Sequence, residues 1–239
     1  MAATINKHEN QPIFVLHTYP FKETSLVVEL FSKEFGRVAA VAKGARRPLS
    51  AMRGQLQSFQ MLHAAWSGKN ELKTLHSMEW ADALLSLQGE ALMCGFYLNE
   101  LLLRLLPRED AHEALFDYYQ ATLKVLEKNQ HLATHLRRFE LKMLQEMGYA
   151  VPLLQDENGE AVLADKSYRY EAEYGACELH STKSGVQLSG KTLLDMAGDD
   201  YANVQTQQQS KQLMRYLLTH YLGDKPLHTR QLLIDLQEL

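Results

Sequence analysis

The chain has 239 residues, of which 46% are hydrophobic and 23% charged, and its net charge is −4. This is the composition of an ordinary globular protein of one or two domains, and it excludes a protein that is basic throughout. Its two cysteines exclude a disulfide framework and suit a reducing cytoplasm. Because the sequence has neither a secretory signal nor a run of about 18 apolar residues, we expect a soluble, intracellular protein.

The charge is unevenly distributed along the chain. Residues 1–80 contain ten Lys or Arg and six Asp or Glu, a net charge of +4, whereas residues 81–239 contain 15 and 23, a net charge of −8. A basic first third followed by an acidic remainder indicates a module that binds a polyanion, joined to a region with a different role.

Residues 11–79 have the pattern of short β-strands. Apolar and β-branched runs predict five of them, at 13–16, 25–31, 38–42, 55–66 and 71–76. The sequence SGKN at 67–70 predicts a hairpin turn between the last two. Five strands in about 70 residues, with a long loop after the third, favour an OB barrel, a common fold for binding single-stranded nucleic acid. A small SH3-like barrel is the alternative.

The stretch 35–54, FGRVAAVAKGARRPLSAMRG, contains the main cluster of cations. Its strand breaks at Gly44 into a loop with Lys43, Arg46, Arg47 and Arg53, and no acidic residue lies between Arg37 and Gly54. Such a loop can hold phosphates, although four cations can also serve only to keep a loop solvated.

Aromatic residues of the same region offer a second way to bind nucleic acid. The rings of Phe35, Phe59 and Trp66 could stack on bases, with core packing as the alternative for each.

After residue 80 the apolar pattern takes the helical period. It predicts helices at 91–106, 109–127, 132–147, 189–196, 210–222 and 229–237, the first of them buried, and a small β insertion at 149–190. On the third helix, Arg137 and Arg138 adjoin Phe139 and could hold an acidic, apolar peptide tail. The alternative is that they pair with acids such as Glu140 or Glu146.

Catalytic and metal-binding motifs are not evident. The sequence has no Walker, Rossmann or nucleophile-elbow spacing, and its carboxylates are dispersed. His131 and His135 lack the Glu of a zincin motif, and Cys177 with His180 gives only half of a structural zinc site. We therefore predict no metal and no catalytic residues.

Nine stretches, in order along nearly the whole chain, carry a resemblance to a known family. They are FVLHT (14–18), ETSL (23–26), GRV (36–38), VAKGAR (41–46), LKTL (72–75), YLNELL (97–102), LRRFEL (136–141), GY (148–149) and YLGDKPL (221–227). Through these nine stretches the chain resembles the RecO family of bacterial DNA repair proteins, which are recombination mediators.

The resemblance implies an OB domain, a helical domain and a small zinc-finger-like insertion. It also implies binding of single- and double-stranded DNA without sequence preference, annealing of complementary strands, and binding to the acidic C-terminal tail of the single-strand DNA-binding protein (SSB). Expected partners are RecR and sometimes RecF, in the loading of RecA. Many members have two Cys-x-x-Cys pairs in the insertion. Here Cys177 and His180 take the third and fourth positions and the first pair is absent, so we expect no zinc and no other cofactor.

The resulting hypothesis is an α+β protein with an OB domain at 1–80 and a helical domain at 81–239 that includes the β insertion. We expect a non-enzymatic mediator of recombinational repair in the nucleoid-associated cytoplasm. The DNA-binding candidates are Arg37, Lys43, Arg46, Arg47, Arg53 and Lys73, and the SSB-tail candidates are Arg137, Arg138 and Phe139. The alternatives are a protein-interaction adaptor whose barrel binds peptide or RNA, and an enzyme with a site built from dispersed carboxylates.

Overall fold

The computed structural model describes residues 6–177, 179, 185–223 and 226–229. The chain forms two compact units, one of residues 1–130 with 227–239 and the other of residues 131–226. The change from strands to helices, on which the predicted domain boundary is based, falls after Trp80, whereas the compact units divide after Gln130.

The first unit contains the barrel. Its strands are β1 (Lys7–Phe21), β2 (Ser25–Ser32), β3 (Gly36–Ala42), β4 (Met61–Ser67) and β5 (Leu72–Trp80), with a short helix α1 (Ala51–Gln55) between β3 and β4. The strand order is β1-β2-β3-β5-β4, and β4 pairs back with β1 to close the sheet. Only β3 and β5 are parallel. This arrangement confirms the predicted OB barrel.

The barrel core consists of alternate residues along the strands, as a pleated sheet requires. Val28, Ala40 and Leu62 point inward and are fully buried, and Trp66 lies among them at 1% exposure. Of the two alternatives for Trp66 and Phe59, core packing is therefore the one that the structure confirms. Trp66 lies on the inward face of β4, and Phe59, at 5% exposure, packs edge-on against Phe96.

The turn into β3 packs closely against the segment that follows the first long helix. Gly36 has a φ of +62°, and a Cβ added there would lie 1.8 Å from the carbonyl oxygen of Asp110. The Glu109 amide donates to the Arg37 carbonyl oxygen at 3.0 Å. Only glycine fits this turn, because any side chain would collide with the neighbouring backbone.

Two helices complete the described part of the first unit: α2 (Gly89–Leu105) and α3 (Glu113–Leu126). As predicted, α2 ends before Pro107, although Phe96 on it is 41% exposed. The rings of Phe14 and Phe31, on the outer side of β1 and β2, pack against Phe116 and Tyr119 of α3. Helix α3 thus covers one part of the outer barrel surface.

The second unit contains the remaining helices and the small sheet. Its elements are α4 (Leu132–Glu146), β6 (Ser167–Glu171), β7 (Gly175–Cys177), β8 (Val186–Ser189), α5 (Gly190–Ala197) and α6 (Val204–Leu222). The sheet order is β7-β6-β8, which confirms the predicted β insertion. Ser189 caps α5, with its side chain accepting from the Thr192 amide.

Helix α6 begins six residues before the predicted start because Asn203 caps it, accepting from the Gln205 amide at 2.8 Å. His180 and all but the first residue of the predicted helix at 229–237 lie outside the described residues. Among the helices that the structure describes, none has the length and apolar character of a membrane span.

Candidate nucleic-acid interface

Part of the outer barrel surface is left open by α2 and α3, the two helices of the same unit. Across it runs a row of four residues that pair directly from strand to strand: Tyr19 with Val27, Val27 with Val41, and Val41 with Thr74. We call these four residues the outer row. They point away from the core because their strand neighbours, such as Val28 and Ala42, point into it. Tyr19 is 46% exposed.

A groove of about 410 Å³ lies beside the outer row. It is formed by the turn between β1 and β2, the end of β3 and the start of β5. Its lining residues are Phe21, Lys22, Thr24, Ser25, Val41, Lys43, Gly44, Arg47, Leu72, Lys73 and Thr74. Four of these residues are cations and none is acidic, so the groove suits an anion with apolar parts.

The loop after β3 is held in place by backbone hydrogen bonds. The Arg46 amide donates to the Thr24 carbonyl oxygen at 2.9 Å, which ties this loop to the β1–β2 turn. The Arg47 amide donates back to Gly44 at 3.0 Å, and Ala45 between them is fully buried. The loop backbone therefore holds Lys43 and Arg47 beside Lys22 of the neighbouring turn.

Four of the predicted DNA-binding cations keep their charge exposed. Lys43, Arg46, Arg47 and Arg53 are all exposed, and none of them forms an ion pair within the described part of the chain. Lys43 and Arg47 line the groove, and Arg46 extends past Lys22, with Nη1 3.4 Å from the Lys22 carbonyl oxygen. Arg53 lies on α1, where the sequence had predicted a loop.

The other two predicted DNA-binding residues are held by neighbours. Lys73 lines the groove, but its Nζ lies 2.5 Å from Oε1 of Glu109 and its side chain is 10% exposed. The Arg37 guanidinium donates to the Leu103 carbonyl oxygen, and burial lowers its pKa from the ordinary value of an arginine. The structure thus separates these two residues from the exposed cations.

Arg108 neutralises two carboxylates at the far end of the same surface. Arg108 donates to Glu29 and Glu71, each at 2.5 Å. Burial alone would lower the pKa of Arg108, but its hydrogen bonds to the two carboxylates raise it overall. These acids therefore repel an approaching anion less than free carboxylates would.

In the second unit, the three predicted tail-binding residues differ in environment. Phe139 is fully buried in the core. Arg137 pairs with the fully buried Glu140 at 2.5 Å. Arg138 is more exposed, with Nε 2.6 Å from Oδ1 of Asp199 and its guanidinium 5.8 Å from the centre of the Tyr201 ring. Of the three, Arg138 presents the most accessible charge.

No cluster of three or more potential metal ligands occurs among the described residues. The Cys177 side chain is fully buried, and its Sγ lies 3.6 Å from the Gly175 carbonyl oxygen. Its predicted partner in a half zinc site, His180, is outside the described residues.

Sequence reasoning missed Tyr19, Phe21, Lys22 and Leu72 as surface residues of the site. The reason for the first two is a β-bulge in β1 between Val15 and His17. Val15 points inward, and simple alternation would also send Tyr19 and Phe21 inward. The extra residue of the bulge reverses the alternation and turns both rings to the outside.

Comparison with known proteins matches both parts of the chain. Residues 7–84 match the family "Recombination protein O N terminal" and residues 86–231 match "Recombination protein O C terminal". The DNA repair protein RecO of Nitrosospira multiformis is 54% identical over 236 residues, 98% of each chain. That of Aromatoleum aromaticum is 52% identical over 97% of each chain, and that of Thiobacillus denitrificans 49% identical over 96% of this chain and 93% of its own. The chain therefore belongs to the RecO family and has a role in DNA repair.

Proposed function

We propose that this protein binds single- and double-stranded DNA through the barrel groove and anneals complementary strands that are coated with SSB. The observation that carries this proposal is the set of four exposed cations, Lys43, Arg46, Arg47 and Arg53, on one loop and helix without ion-pair partners among the described residues. Contacts with phosphates are independent of base sequence, so they suit a protein that must act on any broken chromosome.

The proposed annealing depends mainly on the position of exposed positive charge. Two complementary strands repel each other through their phosphates, and exposed cations on a fixed backbone reduce that repulsion while leaving the base edges free to pair. No acidic residue lines the groove, so it offers no paired carboxylates for acid–base chemistry. The proposed mechanism is electrostatic and requires no catalytic residue.

Binding to the SSB tail is assigned to Arg138, with Arg137 and Phe139 as the packing beneath it. The planar guanidinium suits a carboxylate, and Arg138 already binds one, that of Asp199. The carboxylate of an acidic tail would replace Asp199, while the buried ring of Tyr201 stays beside the guanidinium of Arg138. RecR, and RecF where it is needed, would then act with the bound protein to load RecA.

The proposal is tested by the annealing of SSB-coated complementary oligonucleotides. The variant Lys43→Ala/Arg46→Ala/Arg47→Ala should anneal at least about tenfold more slowly than wild type, because it loses about three phosphate contacts. The control Lys128→Ala/Lys211→Ala/Arg215→Ala removes the same charge at exposed positions elsewhere. Equal rates for wild type and the loop variant would contradict the proposal.

The salt dependence of DNA binding distinguishes this proposal from the alternative, an adaptor whose barrel binds peptide. A protein that binds phosphates must lose affinity for DNA steeply as salt rises. Weak, salt-independent binding of DNA would favour the adaptor.

A further inference from the structure

The outer row is a strip of one exposed aromatic residue, Tyr19, and three half-buried residues, Val27, Val41 and Thr74. Its residues come from four different strands but are in direct register, so their side chains form one continuous line across the sheet. Tyr19 at one end is 46% exposed, and Leu72, next to the other end on β5, is 41% exposed. Phe116 of α3 covers Phe14 and Phe31 on the same outer side.

The charges flank this strip asymmetrically. Lys22, Lys43 and Arg47 lie where β1 turns into β2 and where β3 ends, on one side of the row. On the other side Glu29, which pairs with His17 and Ala39, is bound by Arg108. A nucleic-acid strand laid across the sheet with its phosphates over the cations would therefore place its bases over the outer row.

Two contacts within the protein restrict the Tyr19 ring. The backbone of Tyr19 is paired with Val27 in the sheet, and the His17 ring packs edge-on against the Tyr19 ring with centroids 4.5 Å apart. A ring that is already ordered loses little conformational entropy when a base stacks on it.

We infer that the outer row is a stacking platform for the bases of single-stranded DNA, with Tyr19 as its main contact, and that it makes the groove discriminate single strands from duplexes. This inference rests on the proposed function. Duplex DNA can reach the cations with its phosphates, but its base faces are covered by their neighbours in the stack. The cations therefore serve both forms of DNA, and the platform serves only the single-stranded form.

The test uses three ligands of equal length, about 15 nucleotides: oligo-dT, an abasic strand and a duplex. Stacking of one base contributes enough to change affinity by roughly tenfold. Wild type should bind oligo-dT about tenfold more tightly than the abasic strand. Tyr19→Ser should bind these two strands equally and bind the duplex within about twofold of wild type, whereas Tyr19→Trp should restore the preference for oligo-dT.

The matched control is Tyr174→Ser, which removes a tyrosine that is 52% exposed in the other compact unit and should leave all three affinities unchanged. The inference is overturned if Tyr19→Ser keeps the wild-type preference for oligo-dT over the abasic strand, or if its duplex affinity falls as much as its oligo-dT affinity. Failure of the proposed function has a different signature, in which Lys43→Ala/Arg46→Ala/Arg47→Ala binds all three ligands as wild type does. Absence of binding to every ligand by wild type would overturn both.

Discussion

Two clusters of arginine look alike in the sequence but differ in the structure. In the barrel unit, Arg46 and Arg47 lie on an exposed loop and form no ion pair with any described residue. In the second unit, Arg137 is bound to the buried Glu140, and Arg138 to Asp199. The first cluster can accept a phosphate directly, whereas each arginine of the second must first release a carboxylate.

The difference follows from what surrounds each cluster. No acidic residue occurs between Arg37 and Gly54, and the groove that Lys43 and Arg47 line contains none either. Helix α4 belongs to the part of the chain with a net charge of −8, so acids lie within reach on its own surface and on the next loops. A basic cluster is thus a strong predictor of anion binding only when the fold brings no carboxylate to it.

The largest expected effect separates Arg137 from Arg138. Arg137→Ala removes the ion pair that Arg137 makes with the buried Glu140 and should cost up to about 3–5 kcal/mol of stability. Arg138→Ala breaks an exposed pair and should cost at most about 1 kcal/mol. Hydrogen exchange of the α4 amides measures the loss of stability at this helix in both variants. Equal protection of α4 in the two variants would remove the distinction between a structural and an available arginine.

A second comparison uses two lysines of the same groove. Lys43→Met should weaken DNA binding several-fold and reduce the slope of log K against log salt by about 0.7–0.9, the value for one phosphate contact. Lys73→Met should leave that slope unchanged, because Lys73 is already paired with Glu109 and makes no contact with a phosphate. Fluorescence-anisotropy titrations at several salt concentrations measure both values. A less steep salt dependence in Lys73→Met would show that Lys73 contacts a phosphate.

A third prediction concerns the carboxylate that occupies Arg138. Asp199→Asn should raise the affinity for a synthetic peptide with the sequence of the acidic SSB tail by up to about fivefold, since an exposed ion pair contributes about 0.2–1 kcal/mol. Asparagine is the suitable replacement because Asp199 has a φ of +59°, which asparagine tolerates. Asp200→Asn is the control, and calorimetric titration is the measurement. Unchanged affinity in Asp199→Asn would show that Asp199 does not compete for Arg138.

The smallest expected effect is a pH dependence from His135 on the same helix. Burial lowers the pKa of His135, the charges of Arg138 and His131 lower it further, and Asp199 acts in the opposite direction. The unfolded chain therefore binds this proton more readily, so the contribution of His135 destabilises the fold as pH falls below about 6.5. His135→Gln should lose less thermal stability than wild type between about pH 7.5 and pH 5.5. An identical loss in both proteins would contradict this.

Most elements of the fold could be predicted from the sequence. Period-2 apolar runs located the barrel strands, and period-3.6 runs located α2, α3 and α4 because each buries one face against its neighbours. The surface of the site was harder to predict. The bulge at Leu16 reverses which residues of β1 face outward, and a bulge leaves no clear mark in the sequence.

The state of each charged side chain could not be predicted either, because it depends on contacts between distant residues. Arg37 donates to the Leu103 carbonyl oxygen, Lys73 forms an ion pair with Glu109, and Arg108 forms one with Glu29. Each contact joins a barrel strand to the end of α2 or the segment after it. Local sequence shows these residues only as cations. The exposed loop was predictable because its lack of acidic residues is already visible in the sequence.

The central claim is that the exposed loop of the barrel binds DNA phosphates, and the salt dependence of binding to oligo-dT tests it most directly. Log K falls as log salt rises, and this fall should be less steep by about 2 in Lys43→Ala/Arg46→Ala/Arg47→Ala than in wild type. Each phosphate contact to a single strand contributes about 0.7 to the slope. The control Lys128→Ala/Lys211→Ala/Arg215→Ala should keep the wild-type slope. The same slope in wild type and the loop variant would contradict the claim.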